Sequence, residues 1–411
     1  MRFYITFLFS FVFILLVLIF GATSYLDPYY YYGSSDKRIN AIRYSAVDYP
    51  ELSKAYTINW YHPRTLILGS SRAQIGLDPS NKYFEKLPVY NLGYAGSNMR
   101  RTLALFNHAV ASNEIKQVIL TVDLFMFRAL HTDDIQFARL TILPDGTAPK
   151  LGHKWRALAS DWWRVSFSSE AIKLATNDLL LNSNVIKNNS MKWVVRRNGH
   201  NELLNANVFD YEQQFNAVEA SYARDYDAGR FCLSLSPGYS SLDELRVLIK
   251  RARELEIDLR IAISPEHASL VEIIDHSGLW PTWEAWKREI IRLAEQESST
   301  TWSVPVFDFS GYNEITTELV PINTANVAMK NYWDPSHYKR HIGDRMLDVI
   351  LRNVTYTSDA NFGKQISSNT IEQHLRRIRH DQLAWRIAHP EQVSRIKGAA
   401  SRKVLKSYCL E

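Results

Sequence analysis

Three short segments of the sequence carry residue types able to do nucleophilic chemistry. The first is Leu66-Ile67-Leu68-Gly69-Ser70-Ser71-Arg72. A buried strand that ends in Gly-Ser-Ser and restarts as a helix puts a hydroxyl at the carboxyl edge of a sheet, where open α/β sheets bind ligands. Ser71 then stands at a helix N-terminus, whose free N–H groups can stabilise a developing oxyanion. Taken alone, the same pattern also fits a serine that merely caps the helix. The second segment, Tyr90-Asn91-Leu92-Gly93-Tyr94-Ala95-Gly96-Ser97-Asn98, allows a tight loop with exposed backbone N–H groups beside the first strand's end. The third is Trp333-Asp334-Pro335-Ser336-His337-Tyr338. Asp and His three apart, with Pro starting the turn, bring a carboxylate to the imidazole Nδ1. That fixes the tautomer and leaves Nε2 to take a proton from a serine.

Other residues invite a role more weakly. His267, in Pro265-Glu266-His267 after a strand-like run, reads as a substrate contact or, more plainly, as a solvated loop histidine. Tyr332 and Trp333 suit stacking on a sugar ring, or packing. The sequence has no HExxH, no phosphate-binding GxxxxGK[ST] and no GxGxxG, so neither a catalytic metal nor a cofactor is expected.

The elements that position these segments are five β-branched, apolar runs: Arg64–Gly69, Pro88–Leu92, Gln117–Leu124, Asp258–Ser264 and Val304–Phe309. Continuous apolar runs of this length suit strands buried on both faces. Helical patterns between them, such as Met99–Ala111, Leu242–Leu255 and Trp283–Gln296, argue a doubly wound α/β domain with a parallel five-stranded sheet over about residues 60–352. The gap between the third and fourth runs exceeds a simple crossover. Residues of roughly 127–240 therefore read as a Trp-rich, mostly helical insertion. The tail, 353–411, is basic: from residue 361 it has ten Lys or Arg against four acids. It reads as a solvated helix packed on the body or as a contact for anionic lipid or glycan.

Residues Phe3–Phe20 are uncharged and apolar. About 18 residues at 1.5 Å rise give roughly 27 Å, close to the hydrocarbon thickness of a bilayer and long for a cleaved signal core. The expectation is a single-pass anchor over residues 1–24 in the inner membrane, with the body in the periplasm or outside. Of 411 residues, 46% are apolar and 22% charged, which excludes disorder. A net charge of +5 is too modest to favour nucleic-acid binding, and two cysteines, Cys232 and Cys409, allow at most one disulfide.

Taken together, a serine after strand one, a Gly-Asn loop after strand two and Asp-x-x-His after the last strand resemble the SGNH (GDSL-like) hydrolase superfamily. The Gly69-Ser70-Ser71 form looks like its membrane-linked, cell-envelope branch, which includes alginate O-acetyltransferases and the D-alanyl-transfer protein of teichoic acid synthesis. The resemblance runs over Arg64–Leu351, apart from the insertion. It implies Ser71 as nucleophile, His337 as general base, Asp334 as the carboxylate that orients it, and Gly96 as an oxyanion donor. The family usually supplies an Asn after strand three where this chain has Asp123, and an ionised acid there would repel an oxyanion. Asn98 is the replacement donor that the loop offers. The implied activity is a serine esterase or O-acyltransferase acting on acyl esters of a polysaccharide or a small ester. A transferase would need a multi-span acyltransferase partner to deliver the acyl donor through the membrane. Asp123 motivates the alternative, a non-catalytic glycan-binding or assembly protein with the same fold.

Overall fold

Most of the chain is organised on a sheet whose middle strands have no solvent face, as their unbroken apolar runs require. The computed structural model describes residues 2–34, 42–43, 45–129, 137–182, 192–204, 210–226, 231–236, 239–322, 327–352 and 362–400. The chain divides into two compact units. One comprises residues 1–63, 107–113 and 133–208, and the other comprises 64–106, 114–132 and 209–411.

The larger unit is built on six strands: β2 (Thr65–Leu68), β3 (Val89–Asn91), β4 (Gln117–Val122), β9 (Asp258–Ile263), β10 (Val306–Asp308) and β13 (Lys364–Ile366). Their spatial order is β13-β10-β9-β4-β2-β3. Thr65 pairs with Val89 and with Gln117, Gln117 with Asp258, and Val306 with Ile261, all parallel, while β13 joins β10 antiparallel. The five parallel strands are the five apolar runs of the sequence. In chain rank they lie 2-1-3-4-5, so the winding reverses between β2 and β4, and the loops beyond these strand ends flank the crevice where such sheets bind ligands. The helices of this unit are α3 (Ser71–Gly76), the first half of α4 (Met99–Ser112, whose residues from 107 count with the smaller unit), α7 (Tyr211–Asp225), α8 (Ser241–Glu254), α9 (Ala268–His276), α10 (Trp280–Glu297), α11 (Arg340–Arg352), α12 (Ile371–Ala388) and α13 (Pro390–Ala400). Two small hairpins, β7 (Ser234–Ser236) with β8 (Tyr239–Ser240) and β11 (Tyr332–Asp334) with β12 (His337–Tyr338), complete it.

The smaller unit contains α1 (Arg2–Leu26), α2 (Pro50–Tyr61), α5 (Leu151–Phe167) and α6 (Ser169–Asn182). A three-stranded sheet joins them, with β1 (Ile42–Arg43), β5 (Lys192–Arg196) and β6 (Asn201–Leu204). Helix α1 is long and apolar enough to cross a membrane, and its side chains from Phe3 to Phe20 are almost entirely uncovered. Its last turn is built into the unit: Thr23 Oγ1 donates to Ser166 O at 2.9 Å, and the Asp27 carboxylate just beyond accepts the amides of Tyr31, Tyr32, Gly33 and Ser34.

Two expectations need correction, the five-stranded sheet and the single helical insertion, and the tail takes the first of its two readings, helices packed on the body. The sheet has a sixth strand, β13, drawn from the basic tail. The tail is part of the body, because α12 and α13 bury Ile371, Leu375, Ile378, Trp385 and Ile396. The interval 127–240 is not one helical insertion. Its residues 137–204 supply the β5–β6 hairpin as well as two helices, and 210–240 belong to the larger unit. The hairpin turns through Arg197-Asn198-Gly199, the Gly199 amide donating to Arg196 O at 2.8 Å and Gly199 itself at φ +82°, the left-handed position that closes a three-residue loop.

Candidate active site

Strand β2 delivers Gly69-Ser70-Ser71 to the carboxyl edge of the sheet. Gly69 holds φ +147°, and a Cβ there would stand 2.3 Å from Thr121 Oγ1 on β4, so only glycine lets the chain turn this close to its neighbour. Ser70 is the N-cap residue of α3, yet its side chain makes no cap bond. Its hydroxyl donates instead to Asp123 Oδ2 at 2.8 Å. The Ser71 hydroxyl meets His337 Nε2 at 2.7 Å, across 266 positions of chain. Neither serine is spent on capping the helix.

His337 is held from behind. Its Nδ1 lies 2.7 Å from Asp334 Oδ2 and 3.0 Å from Ser336 Oγ. Asp334 Oδ1 accepts the amides of Ser336 at 2.8 Å and His337 at 3.1 Å, together with the Ser336 hydroxyl at 3.0 Å. Burial pushes the Asp334 carboxyl up, but the imidazole and these donors outweigh it and hold it below the usual carboxylate range. The carboxylate therefore stays ionised, which is what a group that orients and balances an imidazolium must do. The imidazole side chain is 20% exposed, so Nε2 remains within reach of a ligand.

Close backbone approach locks the two halves together. A Cβ on Gly76, at the end of α3, would fall 2.0 Å from the Tyr338 ring, and one on Gly343, in α11, 1.8 Å from Gly76 O. These two glycines let the His337 hairpin and α11 close onto the helix that starts at Ser71.

Beneath Ser71 lies a buried arginine. Arg72, fully buried, places Nη1 2.5 Å from Asp123 Oδ2 and donates from Nε to Ser336 O at 3.1 Å. Its Nη2 is 3.0 Å from Glu266 Oε1, an ionic contact too poorly aligned to satisfy that oxygen's hydrogen bonding. Burial opposes the Arg72 charge, but Asp123, Tyr222 and Glu266 more than compensate and raise its pKa further. Glu266 moves the other way: burial, opposed by Arg72 and reinforced by Asp123, pushes its carboxyl up to about 7. The guanidinium thus meets the charge of Asp123, and Asp123 Oδ1 accepts the Met126 amide.

No protein-family model matches this chain, and no curated protein matches it. The functional assignment rests on the site itself.

Of the other expected residues, Gly96 occupies an exposed turn at φ +68° after Tyr94, whose amide donates to Gly69 O at 3.0 Å. That bond ties the second loop to the strand end that presents Ser71. Asn98 caps α4, its Oδ1 accepting the Arg101 amide at 2.9 Å. Trp333 is half-buried, with the Lys339 ammonium 4.4 Å from its ring centre. Tyr332 is core, donating to Pro265 O.

His267 is a correction. It is 2% exposed, its Nδ1 accepts the Ser269 amide at 3.1 Å to cap α9, and its Nε2 lies 2.6 Å from Glu318 O. Burial lowers its pKa to about 4, so it is a neutral capping residue and not a substrate contact. A proline-led loop looked solvated in sequence; the imidazole folds back instead. Among the described residues Glu272, Asp275 and His276 form the one cluster of metal-type ligands, on α9. Arg386, Gln382 and Tyr312 already occupy the Glu272 carboxylate.

Proposed function

We propose that this chain is a membrane-anchored serine esterase or O-acyltransferase acting on acyl esters of an envelope or exported polysaccharide, of the SGNH hydrolase type. The observation that carries the reading is the relay from Ser71 through His337 to Asp334, with both links at 2.7 Å, at the carboxyl edge of a doubly wound sheet. Nucleophile, base and orienting carboxylate within hydrogen-bond reach form the signature of an activated hydroxyl.

Ser71 Oγ attacks the ester carbonyl carbon while its proton passes to His337 Nε2. Asp334 balances the imidazolium that forms. Collapse of the tetrahedral intermediate breaks the carbonyl carbon–oxygen bond, and the departing alkoxide takes the proton from Nε2, leaving an acyl-enzyme on Ser71. Water, or a sugar hydroxyl in a transferase, repeats the sequence in reverse, and exclusion of water decides between the two. The Ser71 amide and Gly96 are the oxyanion donors in this scheme. Asp123 does not disfavour it, because its charge is spent on Arg72, and this removes the motive for the non-catalytic alternative. Cys232 is disulfide-bonded, which supports an oxidising compartment outside the cytoplasm. The integration of Thr23 and Asp27 into the fold supports a retained anchor.

A fluorophosphonate probe tests the proposal. Labelling of the detergent-solubilised full chain, lost in both Ser71→Ala and His337→Ala, supports it. Labelling and aryl-acetate hydrolysis that persist in Ser71→Ala would overturn it.

A further inference from the structure

Helix α5 carries an unusual surface. Leu151, Trp155 and Trp163 are 70%, 63% and 59% exposed, and Trp162 is 43% exposed. Leu151, Trp155 and Trp162 follow an i, i+4, i+11 spacing, which at 100° per residue places them within about 40° of one another on the helix. The helix leaves most of that stripe uncovered by its own packing, Trp162 being the best-covered member. It packs with another face, where Val165 is buried and Asp161 accepts Tyr56 Oη at 2.8 Å and Arg139 Nε at 2.9 Å.

The position of α5 says what covers the stripe. Its carboxyl end is fastened to the last turns of α1. Phe20 lies 6.4 Å from the Trp162 ring and 6.0 Å from Phe167, stacked on the latter, and Thr23 bonds Ser166 O. Trp162 and Trp163 both meet the Phe167 ring there, with centroids 5.3 and 5.1 Å from it. Where Phe3–Phe20 crosses a bilayer, this cluster falls at the lipid–water boundary, the depth that indole rings prefer because one end is apolar and the N–H seeks a partner. The charges of α5 complete the pattern. Lys154, Arg156 and Arg164 are cationic, and its one acid, Asp161, is neutralised by Arg139. An apolar stripe with Trp beside a basic face describes a helix that lies in an anionic interface.

We infer that α5 is a second membrane contact: it lies in the interface at the carboxyl end of α1, with Leu151, Trp155, Trp162 and Trp163 entering the acyl boundary and Arg156 and Arg164 facing anionic headgroups. The inference rests on the reading of α1 as a membrane anchor. It adds that the smaller unit is seated on the lipid, not merely tethered above it.

Nitroxide scanning of the full-length chain in phosphatidylcholine–phosphatidylglycerol vesicles tests this. Labels are placed one at a time at Leu151→Cys, Trp155→Cys and Trp162→Cys, with His153→Cys and Ser160→Cys on the opposite face of α5 and Phe13→Cys in α1. Expected is a shift toward oxygen collisions at 151, 155 and 162, with 153 and 160 remaining accessible to an aqueous nickel chelate. Aqueous accessibility at all five α5 positions while Phe13 reports lipid would overturn the inference and leave the anchor standing. Protection of the stripe from both reagents would mean that protein covers it, and would also overturn it. An aqueous signal at Phe13 would remove the anchor and this inference with it.

Discussion

Asp334 spends one oxygen on the His337 imidazole and the other on three donors from its own turn, so its negative charge is fixed in place before any substrate arrives. Asp334→Asn keeps the shape but favours the wrong imidazole tautomer, and is expected to lower kcat by about 10⁴-fold with little change in KM, measured on an aryl acetate. Glu266 gives a prediction of another kind. Its carboxyl is raised from an ordinary 4.5 to about 7, so between those values the folded protein holds a proton that the unfolded chain has released. The Glu266 contribution to stability therefore falls as pH rises from 4.5 to 7 and levels off above it, while buried His267, lowered from 6.5 to about 4, tilts stability the other way. At about 1.4 kcal/mol per pKa unit the loss reaches about 3 kcal/mol at most. Urea titrations at pH 5 and pH 8 should show that loss as the difference in pH slope between the native chain and Glu266→Gln, since the His267 contribution is common to both. An equal pH slope in both would refute the assignment. At this scale the three residues were legible because few residue types do this chemistry, Ser71 follows a readable strand end, and Asp334 and His337 stand three apart in a proline-led turn. Arg72 and Glu266 were not, because a buried charge is visible only once its partners, Asp123 and Ser336, are brought to it from elsewhere in the chain.

Among elements, the contact that matters most for the proposed chemistry is between α3 and α11. Gly343→Ala would drive a methyl group into Gly76 O, and backbone cannot yield as a flexible side chain does. The helices must separate, carrying the His337 hairpin away from Ser71. A destabilisation of about 1–3 kcal/mol is expected, as for other overpacked contacts. The loss of kcat should exceed what the folded fraction explains, because a shift of about 1 Å at reacting groups can cost 10²-fold. Thermal melts and turnover on the same preparation separate the two effects; unchanged turnover per folded molecule would refute the coupling. The five parallel strands were readable as elements because burial keeps their runs mainly apolar, with polar residues such as Thr65, Asn91, Gln117, Asp258 and Asp308 falling at strand ends. β13 was hidden for the opposite reason. Lys364-Gln365-Ile366 is an edge strand with only Ile366 buried, so it has no apolar run to betray it. The Asn198-Gly199 turn was a real hairpin signal, obscured by the helical residues before it.

At the scale of the whole molecule, the question is whether the last fifty residues are an appendage or part of the fold. Their arginines look like a cationic surface in sequence, but the structure has three of them answering acids of the body. Arg379 Nε meets Glu284 at 2.6 Å, Arg386 Nε meets Glu272 at 2.9 Å and Arg395 Nη2 meets Glu219 at 2.9 Å. Deeper still, His374 Nε2 and Lys287 Nζ share Asp308 Oδ2, at 2.8 Å and 2.6 Å, so that α12 is joined to β10 and α10 through a fully buried acid. Removing the tail takes away Ile371, Leu375, Ile378, Trp385 and Ile396, all buried in the folded chain. At roughly 1.5–3 kcal/mol per buried side chain, that burial is on the order of 10 kcal/mol, comparable with the whole stability of an ordinary domain. It also leaves Glu219 and Glu272 without their arginines and Glu284 with only the more distant Arg288, and uncovers β10 as a sheet edge open to pairing with other chains. A chain ending at Arg352 should therefore fail to reach a cooperative melt and should aggregate in detergent solution. A tail whose charges served only an anionic lipid would instead leave the truncated protein with its native melting transition and reduced affinity for phosphatidylglycerol vesicles.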